Sequence, residues 1–226
     1  MTWNIFQREI SLKNIPLILA PLCFLLSMII IMPQQLVLES SIGEPHRLLS
    51  SIKMEYQAWV NSHLLMLLGI ILYLPAFHTV CRNISQRNYR LGSSLFFVAV
   101  IAVVGIVGQL TIDFVYAVLS QQADLEVAQV VRLSIINNNI IHFLFNITAN
   151  VGLLLAMFGI AFTSIITGWV DRRSGTLILI GWTVILVLHG KILYIEAVGH
   201  GIILLGFFFT IKNTTICLNC RATRWQ

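Results

Sequence analysis

The chain has 226 residues, of which 58% are hydrophobic and only 10% are charged, and its formal net charge is +5. Soluble domains of this length carry about 25% charged residues, so the composition excludes an ordinary soluble domain and indicates an integral membrane protein. In a soluble chain, 14 Lys and Arg against 9 Asp and Glu would suggest nucleic-acid binding. In a membrane protein the same excess is typical of basic loops that fix orientation, and we expect no nucleic-acid partner.

Six apolar segments are candidates for membrane-spanning helices, each of which needs about 20 apolar residues. The third and fourth segments are longer than a bilayer requires, so we expect them to tilt or protrude. The pattern predicts an all-α fold, a polytopic six-transmembrane-helix bundle that forms one integral membrane domain over residues 1–226. The predicted spans are residues 15–34, 59–80, 92–119, 139–168, 175–190 and 197–211.

The basic residues indicate how these spans are oriented. Ten of the 14 Lys and Arg residues fall at the end of the bundle that carries both termini, and four fall at the other end. Cytoplasmic loops of membrane proteins are enriched in Lys and Arg. We therefore predict a multi-pass protein of the cytoplasmic membrane of a bacterium, with both termini cytoplasmic.

Two segments at the outer end have helical patterns of their own. In residues 46–60 the apolar side chains recur at helical spacing, which indicates an interfacial helix or an extension of the second span. In residues 124–138, Asp124 is placed to cap a helix that leads into the fourth span.

Ionisable side chains inside lipid are costly, so they usually face the interior of a bundle or a wet cavity. The predicted topology places most of the histidines and two acids in the outer half of the bundle, within about 10 Å of one another in depth, from the rise of a helix. We therefore predict an outward-facing polar pocket in the outer leaflet. Its ionisable residues are His63, Asp113, His142, His189, Glu196 and His200.

Two polar stripes support this pocket. One repeats every four residues into the fourth span, and the other recurs at i, i+4 and i+7 on the third, so each should occupy one helix face. The amides could hold two helices together or line the pocket, and the sequence alone leaves both interpretations open. The stripes are Asn138, His142, Asn146 and Asn150 on one side, and Gln109, Asp113 and Tyr116 on the other.

This set of side chains is compatible with a metal. Imidazoles and carboxylates are zinc ligands, and a zinc-bound water could hydrolyse an ester or amide bond in a membrane lipid, with Asp113 and Glu196 as catalytic carboxylates. Ser62 and His63 on one helix, Asp113 on the next and histidines near the end resemble the residues of the zinc-dependent seven-helix ceramidases and adiponectin-receptor hydrolases. This chain differs from them in having six candidate spans.

Haem is a second cofactor that the histidines could bind, because bis-histidine ligation needs only one imidazole from each of two facing helices. His63 with His142, or His189 with His200, would supply such a pair.

Two further functions remain open from the sequence. In a proton-coupled small-molecule transporter, Asp113 would exchange protons while the asparagines bind the substrate. In a non-catalytic immunity, regulatory or assembly subunit, the bundle would bind a protein partner or form a homo-oligomer.

Overall fold

The computed structural model describes the backbone of residues 14–39, 45–122, 124–138, 140–188 and 193–222. Within these ranges, side chains are described except at 32–39, 45–47, 136, 138, 188, 193–195 and 213–222. All regular secondary structure in this part of the chain is helical. The helices are α1 (Ile15–Glu39), α2 (Pro45–Met54), α3 (Tyr56–Ser85), α4 (Tyr89–Ser120), α5 (Leu125–Asn138), α6 (Ile140–Ile166), α7 (Arg172–Leu188) and α8 (Leu193–Ala222).

Each of the six predicted spans coincides with one of the longer helices, and α2 and α5 correspond to the two further segments with helical patterns. Among the described residues, three helices are long and apolar enough to cross a bilayer, namely α3, α4 and α6. The chain is thus an all-helical protein whose helices point to a membrane location.

Short polar residues set the helix ends. The Asp124 carboxylate accepts hydrogen bonds from the backbone N–H groups of Glu126 and Val127 at 3.0 and 3.1 Å, which confirms the predicted cap of α5. Asn88 caps α4 in the same way, through Leu91. Gly168, between α6 and α7, has a φ of +67°, a left-handed conformation that glycine adopts at no steric cost.

The polar stripe predicted for the fourth span is described on both sides of residue 139. Asn138 is the last residue of α5, whereas His142, Asn146 and Asn150 lie on α6, which begins at Ile140. Residue 139 lies outside the described residues, so the continuity of the stripe stays a prediction.

The six longer helices form a closed ring in the neighbour order α1, α3, α4, α6, α7, α8, with α8 returning to α1. Their contacts are unequal. The pairs α4–α6, α7–α8 and α1–α3 pack most extensively, whereas α6 and α7 have the sparsest contact in the ring. The seam between α6 and α7 is therefore the weakest part of its wall.

Small residues bring α4 and α6 into backbone contact. A β-carbon added at Gly105 would overlap the backbone nitrogen of Ala149, and one added at Gly108 would overlap the Phe145 ring. Glycines at a helix interface allow this close approach.

The α7–α8 hairpin is held in the same way. A β-carbon at Gly181 would lie 2.7 Å from the carbonyl oxygen of Gly199, and one at Gly206 would lie 3.0 Å from that of Ser174. These two contacts, at successive levels of an antiparallel pair, make the hairpin one packed unit.

Helices α2 and α5, which we call the cap, lie together over the ends of α1 and α4. An apolar cluster beneath them joins the cap to the ring, and it includes Leu49, Ile52, Trp59 and Ala128. Lys53 adds a long hydrogen bond of 3.4 Å to the carbonyl oxygen of Gln122. The cap marks one end of the ring.

The glycine contacts predict that one added methyl group changes the free energy of unfolding differently at two glycines. Gly105→Ala should destabilise the protein by about 1–3 kcal/mol or more, because backbone atoms of α6 cannot move aside as a side chain can. Gly201→Ala should be neutral or stabilise by about 0.5–1 kcal/mol, since nothing lies within 4 Å of the added carbon and alanine favours the helix. Thermal unfolding in detergent measures both changes, and equal melting temperatures would contradict the α4–α6 contact.

Candidate functional site

A cavity of about 320 Å³ lies inside the ring. Residues of α1, α3, α4, α6, α7 and α8 line it, so it is formed by the same six helices that close the ring. Ligand pockets in proteins have volumes of about 300–1,000 Å³. The central cavity is therefore large enough for a small organic molecule.

The walls of the central cavity are mainly apolar, but a group of polar side chains reaches it from three helices. Every one of these polar residues had been selected from the sequence. They are Gln109 and Asp113 on α4, Asn146 and Asn150 on α6, and Glu196 and His200 on α8.

Asp113 connects the cavity to a buried histidine. Its Oδ2 lies 3.7 Å from Nε2 of His63 on α3, a distance slightly longer than a direct hydrogen bond. The His63 side chain is only 6% exposed and is not a lining residue, whereas the Asp113 side chain is 33% exposed and lines the cavity. The carboxyl group thus stands between the cavity and the imidazole.

The hydrogen bonds of His63 define which nitrogen faces Asp113. Its Nδ1 lies 2.7 Å from the carbonyl oxygen of Trp59, and a carbonyl oxygen can only accept, so Nδ1 carries the hydrogen. In the neutral ring the other nitrogen, Nε2, is then an acceptor. A proton can therefore reside on the Asp113 carboxyl or on His63 Nε2 without a change in the total charge of the pair.

Trp59 holds this pair in place from one turn earlier on α3. Its indole ring stacks on the His63 ring with centroids 4.3 Å apart, and its Nε1–H donates to the backbone carbonyl of Asp113 at 3.3 Å. Ser62 donates to the carbonyl of Trp59 at 3.0 Å. The imidazole is thus fixed from two sides.

On α6, Asn150 donates to the side-chain oxygen of Asn146 at 2.5 Å. Both side chains line the cavity and both are exposed, so this part of the wall is accessible from outside the chain. Across the helix pair, Gln109 donates to the backbone carbonyl of His142 at 3.4 Å. The amides therefore show both arrangements that the sequence left open: all three line the cavity, and Gln109 also links α4 to α6.

Glu196 and His200 lie one turn apart on α8, and both are buried. The His200 ring stacks on Phe24 with centroids 5.0 Å apart and meets Trp182 edge-on at 6.2 Å. These contacts fix the imidazole at the wall opposite α4.

Not all of the predicted residues meet at the cavity. His142 is partly exposed and is not a lining residue, although it lies one turn from Asn146. Tyr116 packs in the apolar cluster under the cap, where the guanidinium carbon of Arg132 lies 5.2 Å from its ring centre. His189 and the side chain of Asn138 lie outside the described residues.

The predicted metal centre is not assembled by the described residues. Among them, no group of three or more His, Cys, Asp and Glu side chains is arranged to hold an ion. The histidines predicted as ligands are His63, His142, His189 and His200, and of these His189 lies outside this part of the chain. Zinc and haem therefore remain predictions from the sequence.

Sequence reasoning missed several apolar and aromatic lining residues. Met66, Ile70 and Tyr73 follow His63 at helical spacing and line the cavity. Tyr73 is 1% exposed, and its hydroxyl has no hydrogen-bond partner among the described residues. The sequence offered one signal for Tyr73: it follows His63 at helical spacing on the same predicted span.

Comparisons with models of protein families, with curated proteins and with solved structures found no match.

The position of Asn150 predicts selective labelling from water. Both cysteine substitutions are made in a variant with all four native cysteines replaced by Ala. Asn150→Cys should then react about tenfold faster than Val151→Cys with a charged, membrane-impermeant thiol reagent. Only ionised thiols react, and a thiol ionises where water reaches it. Val151 is a matched control, since it is 51% exposed at nearly the same depth but is not a lining residue. Labelling rates in intact cells test this, and equal rates would show that water does not reach the cavity.

Proposed function

We propose that this chain is a multi-pass protein of a bacterial cytoplasmic membrane, in which the six ring helices cross the bilayer and both termini are cytoplasmic. The distribution of charge supports this orientation. The loop from α3 to α4 and the start of α7 carry basic residues, including Arg87 and Arg172, at the end of the ring opposite the cap. The cap itself would face the periplasm, with the cavity in the outer leaflet.

This topology predicts where a reporter enzyme is active. Alkaline phosphatase folds only outside the cytoplasm, so an insertion after Gln122, at the end of α4, should be active. The same insertion after Gln86, between α3 and α4, should be inactive and serves as the control. Phosphatase activity in intact cells is the measurement, and activity of the Gln86 insertion would refute the orientation.

Within this membrane protein, we propose that the central cavity carries a small, mainly apolar molecule and couples its movement to a proton. The contact of Asp113 with both the cavity and His63 is the observation that carries the proposal. An ionisable group inside a membrane protein is typical of a proton relay. A ligand that enters the cavity meets the same carboxyl group that lies 3.7 Å from the imidazole.

The shape of the ring supports entry from the side. The α6–α7 seam is the weakest contact of the wall, and the exposed Asn146 and Asn150 lie on α6. A molecule dissolved in the outer leaflet could therefore enter between these helices. Asp113 would then exchange its proton with His63 on the far side of the carboxyl group.

Proton coupling predicts that Asp113→Asn abolishes proton movement while the fold is retained, because the amide has the same shape but does not ionise near neutral pH. The measurement uses proteoliposomes that contain a pH-sensitive dye. They receive an inward gradient of one of three adamantane derivatives, which carry a trimethylammonium, a hydroxyl or a carboxylate group. At least one derivative should drive a protein-dependent proton flux, and Asp113→Asn should reduce it to the level of protein-free liposomes.

The matched control is Glu126→Gln, the same chemical change at an exposed position of the cap, and it should leave the flux unchanged. Melting temperatures in detergent establish that each variant is folded. Absence of flux with all three derivatives, or a full flux in a folded Asp113→Asn protein, would refute proton-coupled transport.

A further inference from the structure

The charge of the central cavity favours one of the three head groups used in the transport experiment, namely ammonium, hydroxyl or carboxylate. Its described lining includes two carboxyl residues, Asp113 on α4 and Glu196 on α8, and no Lys or Arg. Burial of a charge is costly unless an opposite charge accompanies it. A cavity with this lining disfavours an anion and is complementary to a cation.

The apolar part of the lining is also suited to a cation. Phe24, Tyr73 and Trp182 present aromatic rings from three helices, and Met28 and Met66 add polarisable sulfur atoms. Aromatic faces attract organic ammonium groups, and methionine adapts to apolar bodies of irregular shape. Such walls hold a compact hydrocarbon as well as the charge attached to it.

A buried hydroxyl provides an independent indication of a ligand. Tyr73 lines the cavity at 1% exposure, and its hydroxyl oxygen has no hydrogen-bond partner among the described residues. A buried polar group without a partner costs about 1–3 kcal/mol, so a ligand N–H that donates to this oxygen would remove the cost.

We infer that the ligand is a small organic ammonium ion with a compact apolar body, and that it exchanges for the proton of Asp113. This inference rests on the proposed transport function and names its substrate class. In the exchange, the O–H bond of the Asp113 carboxyl breaks and the proton leaves for solvent through the exposed part of this side chain. The carboxylate that remains forms an ion pair with the ammonium group, and one positive charge has replaced another.

Two further groups act directly on Asp113. His63 faces it from α3, and Arg132 of the cap, which lies over the Tyr116 ring, attracts its carboxylate. The lining residues of α6 are amides and apolar groups, while Glu196 and His200 occupy the α8 wall.

Calorimetry on the full-length protein in detergent tests the inference with the same adamantane derivatives. The trimethylammonium compound should bind at least about tenfold more tightly than the alcohol, a difference of about 1.4 kcal/mol. It carries no proton of its own. Titrations in two buffers of different ionisation enthalpy should therefore show release of up to one proton by the protein.

Variants assign the effect to single groups. Asp113→Asn should reduce the affinity for the ammonium compound to that for the alcohol and abolish proton release, Asp113→Glu should restore both in part, and Glu126→Gln should change neither. Tyr73→Phe should weaken binding of the primary adamantyl ammonium ion but not of the quaternary one, which has no N–H.

The outcomes separate the two proposals. Tighter binding of the alcohol or the carboxylate, with proton-coupled flux retained, would overturn the inference about the ammonium ion and leave transport standing. Binding of the ammonium compound that Asp113→Asn does not alter in a folded protein would also overturn it. If none of the compounds binds or drives flux, both proposals fail.

Discussion

The backbone contact between α4 and α6 fixes the geometry on which the rest of the site depends. Gly105 lets the backbone of α6 approach the antiparallel α4 directly, and Gly108 leaves room for the Phe145 ring of α6. This close approach places Gln109 and Asp113 of α4 beside Asn146 and Asn150 of α6 at one cavity. A bulkier interface would separate the two polar faces, and each would then be exposed to lipid at a high cost in free energy.

Much of this arrangement could be predicted because it follows from the spacing of residues along one helix. The pair Gln109 and Asp113, and the pair Asn146 and Asn150, lie four residues apart and share a face as expected. Spacing does not specify which helices are neighbours, so the positions of His142 outside the cavity lining and of Tyr116 under the cap were not predictable.

The unequal contacts around the ring indicate how the cavity could change its access. Helices α7 and α8 pack closely against each other, through Gly181 and Gly199, and join the rest of the ring by way of α1 and the sparse α6 seam. Packed units tend to move as rigid bodies about their weakest interface. A movement of the α7–α8 hairpin away from α6 would open the wall beside Asn150 while the His63–Asp113 pair on α3 and α4 stays intact.

The location of Asp113 explains why proton exchange and ligand binding would be coupled rather than independent. With a proton on the carboxyl the cavity gains no net charge from this residue, and with an ammonium ion bound the ion pair is again neutral. The ionised carboxylate without a bound cation leaves a partly buried charge at the cavity wall. A medium of low polarity disfavours this charge, and the guanidinium of Arg132 offsets part of that cost. The proton and the ammonium ion each neutralise the Asp113 carboxylate, so binding of one weakens binding of the other. This mutual weakening is the coupling free energy between them.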